Sequence, residues 1–545
     1  MSQARVSNKI HICLALLIAA SVLFLPFLPT EDGPAHLYYA TVLSDLLHSG
    51  RTFAATYSIR GILPPYSFHW YLLVLLDSVF DPLLSERLVA ALTIFWLCLG
   101  AWRLIRALSP NNSFACMLVL PLSAMWPFYM GFFNFMLATG TLLFLMGWWL
   151  DNEQKLNVAR CFGVVLAVFV VASMHPVPAL MFFLFAGLLL MIQALQTFRT
   201  ASEVRPKDRV AAFFRTKAWV LITLFLSSSV LLWIGNVTDH RRVEAQLSDP
   251  SEIVQRVMGV ITLKEISPLG FRQWDYTAAL GATLALIFVL AFLAFNHSRN
   301  GSRFLAVAAM ACSCFLLFLV VPGRMNGSVY FQSRFLCVFC FLMIALASGA
   351  RLSRNLSLLA SAVALVSAVV ILGSQWRTNR AIITHLESVV DAPCVRPGSR
   401  VLSMEIGSVR RRLHELHYDP ISDAFFYWSI RSKAVVANML WMNLSFLPLK
   451  PASPAVPIVE NYDAGQRMRA AIEGNAVTLP FQADALAIPR SVDAASVEDE
   501  LVRKLQTIYG YKLLSNAQSD EILLARPDAL CSPVGLSRTG PNKHL

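Results

Sequence analysis

Thr30-Glu31-Asp32-Gly33-Pro34-Ala35-His36 sets two adjacent carboxylates and an imidazole directly after the first apolar run of the chain. Ionised side chains kept beside hydrocarbon are costly and mark functional sites. A positioned carboxylate can take the proton from a hydroxyl, a poor nucleophile near neutral pH, as its oxygen attacks an electron-poor sugar carbon. Asp32 is the candidate base and Glu31 its acidic neighbour. A second carboxylate raises the pKa of the first or helps to hold a divalent cation, so a metal on Asp32 and Glu31 is left open. The plainer alternative is that Asp32 only N-caps a helix beginning near Pro34. His36 lies four residues past Asp32 and shares its helical face, placed to orient the base or bind a phosphate; an interfacial polar role is the alternative.

Further positions carry charge or an imidazole in places that ask for a reason. Arg324 and Arg334 fall in a short loop between two late apolar runs. A guanidinium there can grip the phosphate of a lipid carrier by paired hydrogen bonds, or it can snorkel to lipid headgroups. His175-Pro176 and His69-Trp70 sit at the same level; His175 is counted as a substrate contact, against the reading that it merely ends a helix before Pro176. His240-Arg241-Arg242 reads as a solvated surface cluster. No Walker loop, Rossmann fingerprint, zinc motif or GxSxG elbow occurs in a credible context, which leaves a nucleotide-sugar or ATP site without support.

The elements that must position these residues are membrane helices. Apolar residues make up 56% of the chain and charged ones 14%, with mean hydropathy +0.58, a composition of integral membrane proteins. On a span of about twenty apolar residues, eleven helices are expected, at 10–29, 83–106, 113–130, 134–150, 159–176, 178–198, 218–236, 276–295, 304–321, 335–350 and 356–373. The first resembles a signal peptide, but no small-x-small site precedes Glu31, so it reads as a retained helix. The net charge of +12 belongs to topology: Arg103 and Arg106, the stretch from Arg199 to Lys217, Arg299 and Arg303, and Arg351 and Arg354 all fall on one side. The positive-inside rule makes that side cytoplasmic, with the N-terminus. It puts 30–82, 237–275, 322–334 and everything after about 374 outside, in a bacterial plasma membrane. No basic tract alternates with aromatics, so nucleic acid is excluded as a partner.

The first outer loop, 30–82, carries a helical apolar stripe at Ala35–His48 and an aromatic-rich segment at Tyr66–Phe80, both expected as helices lying along the interface. The tail is polar, with strand-like runs at Arg400, Ala434 and Glu521 and an amphipathic helix at Val497–Ile508. The chain therefore divides into a membrane part, 1–375, and an extracytoplasmic α/β domain, 376–545. Eight cysteines lie in apolar segments and act as small hydrophobes; Cys394 and Cys531 bracket the tail and could pair in an oxidising compartment.

In order along the chain, Glu31-Asp32-Gly33-Pro34-Ala35-His36, Glu86-Arg87-Leu88, Gly131-Phe132-Phe133-Asn134-Phe135, Met174-His175-Pro176 and Ser333-Arg334-Phe335 resemble the layout of the GT-C superfamily of polytopic glycosyltransferases, which includes protein O-mannosyltransferases and enzymes that decorate lipid A and lipopolysaccharide. The resemblance implies a multi-helix membrane fold and base-assisted inverting transfer of a hexosyl or pentosyl unit. The donor it implies is a polyprenyl-phosphate sugar, and the acceptor a glycan, lipid or protein of the cell envelope. It puts the base on Asp32 and the donor phosphate on Arg334. Two departures stand out: Glu precedes Asp in the pair, and Asp239, Glu244, Asp249, Glu252, Glu265 and Asp275 form no second acidic motif. A lipid-linked glycan transporter and a non-catalytic scaffold of a surface-polysaccharide pathway are the competing classes.

Overall fold

A computed structural model describes residues 2–48, 50, 52–59, 67–110, 114–200, 213, 217–228, 250–269, 273–298, 301–323, 330–404, 416–420, 423–436, 449–452, 466–467, 470, 483–490, 495–515 and 521–531. Arg324, His240-Arg241-Arg242 and most of 199–217 lie outside them. In chain order the helices are α1 (Ser2–Ser21), α2 (Gly33–Leu47), α3 (Phe68–Asp77), α4 (Pro82–Leu108), the single turns α5 (Phe114–Met117) and α6 (Trp126–Tyr129), α7 (Phe133–Asn152), α8 (Val158–Met174) and α9 (Pro176–Thr200). They continue with α10 (Lys217–Ser228), α11 (Pro250–Ile261), α12 (Trp274–Ser298), α13 (Ser302–Val320), α14 (Phe331–Ala347), α15 (Arg354–Val390) and α16 (Ala424–Ser432).

The chain is a multi-pass helical membrane protein. Among the described residues α4, α7, α9, α12, α13 and α15 are long and apolar enough to cross a bilayer, and six shorter apolar stretches accompany them. At the end away from residues 30–36, Arg103 reaches Asp151 at 2.7 Å and Arg303 reaches it at 3.8 Å, so the basic helix ends gather there.

One expected span is not a single helix. Residues 113–130 read as an uninterrupted apolar run, but the chain folds into α5, a 3₁₀ turn at Leu120–Leu122, and α6. Pro121 and Pro127 have no N–H to give and clash with the preceding turn. Irregular chain among apolar helices is tolerated only where protein covers it, and residues 114–133 are all buried. Gln375 Nε2 donates to the Ala124 carbonyl at 3.0 Å, and Trp126 N to the Ile266 carbonyl at 3.1 Å.

Helix α2 also departs from expectation. Rather than lying on the interface with one apolar stripe, it is buried on most sides from Gly33 to Val42, including Tyr38 and Tyr39. Helix α3 covers part of it, through Trp70 on His36 and Tyr39, and the C-terminal region covers another part, which sequence periodicity does not reveal. Tyr38 Oη donates to the Ala434 carbonyl and accepts from Val436 N, both at 2.9 Å. Tyr57 donates to the Val436 carbonyl, and β1 (Tyr57–Ile59) pairs antiparallel with β4 (Leu449–Pro451).

Helix α15 runs unbroken through residue 375, where the two parts were expected to meet. Its 37 residues extend about 55 Å at 1.5 Å per residue, carrying the chain to a sheet of order β3-β2-β5-β7-β6. Here β2 is Arg400–Ser403, β3 Val435–Val436, β5 Ala485–Pro489, β6 Lys512–Leu513 and β7 Glu521–Ala525. Strand β2 lies parallel to β3 and β5, and β7 antiparallel to β5 and β6. The helix Ala495–Thr507 buries Leu501 and Leu505 against Leu486 and Leu524. Cys394 and Cys531 form a disulfide that joins the two ends of this region.

Candidate active site

The turn at residues 30–36 is fixed from several sides by backbone. Glu31 N donates to the Tyr129 carbonyl at 2.9 Å and Asp32 N to the Met130 carbonyl at 3.2 Å. The partner loop then turns at Gly131, whose φ is +80°. A Cβ at Gly131 would lie 2.7 Å from Gly33 N and 3.1 Å from the Asp32 carbonyl carbon, so only glycine permits both the conformation and the approach.

Asp32 occupies the N-cap position of α2, and its carbonyl accepts from His36 N at 3.0 Å, but its carboxylate makes no capping bond. The plain capping role is not what the side chain does. Both carboxylates are half-buried. Glu31 Oε2 accepts from Asp419 N at 2.8 Å, so the C-terminal region grips the first loop through Glu31. That segment is itself anchored: His417 N donates to the Pro268 carbonyl at 3.1 Å, and Trp126 Nε1 to the His417 carbonyl at 3.3 Å. Tyr418 packs on Tyr129 with ring centroids 5.3 Å apart. Burial, then Tyr129 and the Glu31 carboxylate, hold its phenol well above the usual range. Burial also raises Tyr39, with Asp423, Tyr38 and Asp32 adding negative field.

His36 turns inward. Trp70 Nε1 donates to its Nδ1 at 3.2 Å, and the His69 ring meets it edge-on at 4.7 Å. An Nδ1 that accepts is unprotonated, and burial lowers this imidazole to about 4. His36 thus joins α2 to α3 through Trp70.

Glu86 was quoted only within a motif, but it belongs to this site. It sits in the second turn of α4 and is 2% exposed. The Tyr427 hydroxyl of α16 lies 2.8 Å from Glu86 Oε2 and 3.2 Å from the Leu28 carbonyl, and its one proton serves either. A Cβ on Gly33 would fall 2.7 Å from Glu86 Oε1 and 2.1 Å from Thr30 Oγ1, so Glu86 lies directly behind the turn. Arg87 donates to the Leu23 and Leu25 carbonyls at 3.1 and 2.8 Å, fixing the chain that enters the turn. The signal was available: a carboxylate opening an apolar span is as costly as the pair at 31–32.

Arg334 lies in the first turn of α14, 7% exposed. Its guanidinium sits over Phe132 at 4.9 Å and near Phe331 at 5.5 Å from the ring centroids. Phe132 follows Gly131, so the arginine and the carboxylate turn share the 126–133 loop. The neighbouring Ser333 Oγ donates to Glu265 Oε2 at 3.1 Å. His175 joins α8 to α9 and accepts from Val177 N on Nδ1 at 3.2 Å. Burial, and secondarily the Arg334 charge, hold it well below the ordinary histidine range. Glu252 pairs with Arg256, and Asp275 with Arg377, while Asp239, Glu244 and Asp249 lie outside the described residues. Among the described residues no group of three or more His, Cys, Asp or Glu is placed to hold a metal ion.

Among solved structures, the crystal structure of ArnT from Cupriavidus metallidurans bound to undecaprenyl phosphate is similar over 96% of this chain and 99% of that one, with TM-score 0.52 and 13% identity. The chain shares the fold of that structure. No protein-family model and no curated protein matches it, so the likeness lies in the arrangement of elements rather than in the sequence.

Proposed function

We propose that the protein is a membrane glycosyltransferase that moves a sugar from a polyprenyl-phosphate donor to an acceptor hydroxyl. The Asp32 carboxylate takes the hydroxyl proton while the acceptor oxygen bonds to the anomeric carbon. The bond from that carbon to the donor phosphate oxygen breaks with inversion, and polyprenyl phosphate leaves with the electron pair. Arg334, cushioned by Phe132 and Phe331, offsets the charge that builds on the leaving phosphate. Glu31 positions the turn through Asp419 N rather than acting on the substrate.

The observation that carries this reading is the carboxylate turn locked to the 129–131 loop, in a fold shared with an enzyme crystallised on undecaprenyl phosphate. The site face is the extracytoplasmic one: the basic helix ends lie opposite, and the Cys394–Cys531 disulfide suits an oxidising compartment. Purified protein should transfer sugar from polyprenyl-phosphate hexose or pentose. Arg334→Gln should raise the donor KM roughly tenfold to a hundredfold, since a hydrogen bond to a charged group contributes about 1.5–3 kcal/mol, and Arg334→Lys should recover part. Absence of transfer, or an unchanged donor KM in Arg334→Gln, counts against this assignment.

A further inference from the structure

We propose that the groove between α1 and α15 holds the alkyl chain of the acceptor, which is therefore a lipid with an uncharged hydroxyl head. This rests on the transferase reading above and names the acceptor class for the same site.

The groove has a volume of about 430 Å³, within the range of about 300–1,000 Å³ found for small-molecule sites. Its walls include Leu17 of α1 and Val369 of α15, which are 66% and 63% exposed, so it opens on the lipid-facing surface. Its other end reaches Leu28 and Tyr129. Leu28 lies three residues before Glu31, and the Tyr129 carbonyl accepts from Glu31 N. A chain lying in the groove therefore delivers its head to the carboxylate turn.

The chemistry of that end selects the head. No charged side chain lines the groove; Arg87 behind it gives its donors to the Leu23 and Leu25 carbonyls, and the carboxylates of the turn follow Leu28 closely in the chain. A phosphate would find no lining cation. The cation proposed for the donor, Arg334, stands on α14, which contributes nothing to these walls. Asn379 is 7% exposed, and its Nδ2 lies 3.5 Å from the Tyr129 hydroxyl. Its Oδ1 is buried without a hydrogen-bond partner among the described residues. A buried acceptor left unsatisfied is costly, and a lipid hydroxyl supplies the donor it lacks.

Gly373 lines the groove, and a Cβ there meets no atom within 4 Å, so Gly373→Phe adds bulk to the groove without a clash at its root. The test uses the full chain in nanodiscs with a diazirine-tagged diacylglycerol. The probe should label α1 and α15, and labelling should fall at least tenfold in Gly373→Phe while surviving excess polyprenyl phosphate. Transfer to the lipid acceptor should fall similarly with donor KM unchanged. Asp32→Asn should keep the label and lose turnover, so failure of the groove and failure of the reaction read out separately. Competition of the label by polyprenyl phosphate would assign the groove to the donor tail and overturn the proposal. So would labelling on other helices, labelling unchanged in Gly373→Phe, or full-rate transfer to a soluble acceptor by Gly373→Phe.

Discussion

The turn at residues 30–36 and the start of α14 both keep charge at one end of the bundle, but they hold it differently. Glu31 and Asp32 are fixed through backbone, by the Tyr129 and Met130 carbonyls and by Asp419 N. Arg334 is fixed by ring faces, over Phe132 and Phe331. Backbone locking fixes position, which proton abstraction needs, since a misplacement of about 1 Å can cost about 100-fold in rate. Aromatic faces attract a cation without neutralising it, which suits a group that must meet an anion. Arg87 and Arg256 give donors to helix-end carbonyls and so tie helix ends together.

That contrast can be broken from the carboxylate side. Gly131→Ala forces a Cβ against Gly33 N and strains a positive φ. It should lower kcat by about 100-fold, the scale of a 1 Å misplacement, with donor KM little changed. An equal rise in donor KM would mean that the two regions are not independent.

His36 tests how the turn depends on pH. It is neutral in the fold, lowered to about 4, and titrates near 6.5 when unfolded. Protonation therefore favours the unfolded chain, and stability should be lost as pH falls from about 6.5 towards 4, by on the order of 3 kcal/mol in all. Thermal unfolding in detergent across that window should show a larger loss in wild type than in His36→Gln. An identical loss in both would assign it elsewhere.

A smaller effect is expected behind the turn. Tyr427→Phe leaves the buried Glu86 carboxyl without the 2.8 Å hydroxyl contact and should cost about 1–3 kcal/mol of stability. Donor KM should stay unchanged. A variant as stable as wild type would remove Tyr427 from the turn's support.

The long helices were legible because apolar length is a strong signal, and the carboxylate turn because charge beside hydrocarbon is rare. Strands near 400, 434 and 521 were legible from β-rich runs. Segment 113–130 was misread because its prolines counted as apolar length, although Pro121 and Pro127 carry the opposite message. Strand β5, Ala485–Pro489, was missed: a central strand buried on both faces shows no alternation. Asp419, Tyr427 and Asn379 come from more than 300 residues away in sequence and join the turn only through α15 and α16. No local pattern encodes that meeting.

The most direct measurement is single-turnover transfer from a polyprenyl-phosphate sugar by Asp32→Asn beside Glu31→Gln. Asp32→Asn should lose about 10²–10⁴ in rate, the usual worth of a positioned base, with donor binding intact. Glu31→Gln should lose far less, because its amide oxygen still accepts from Asp419 N. Wild-type turnover by Asp32→Asn would contradict the assignment of this turn as the catalytic base.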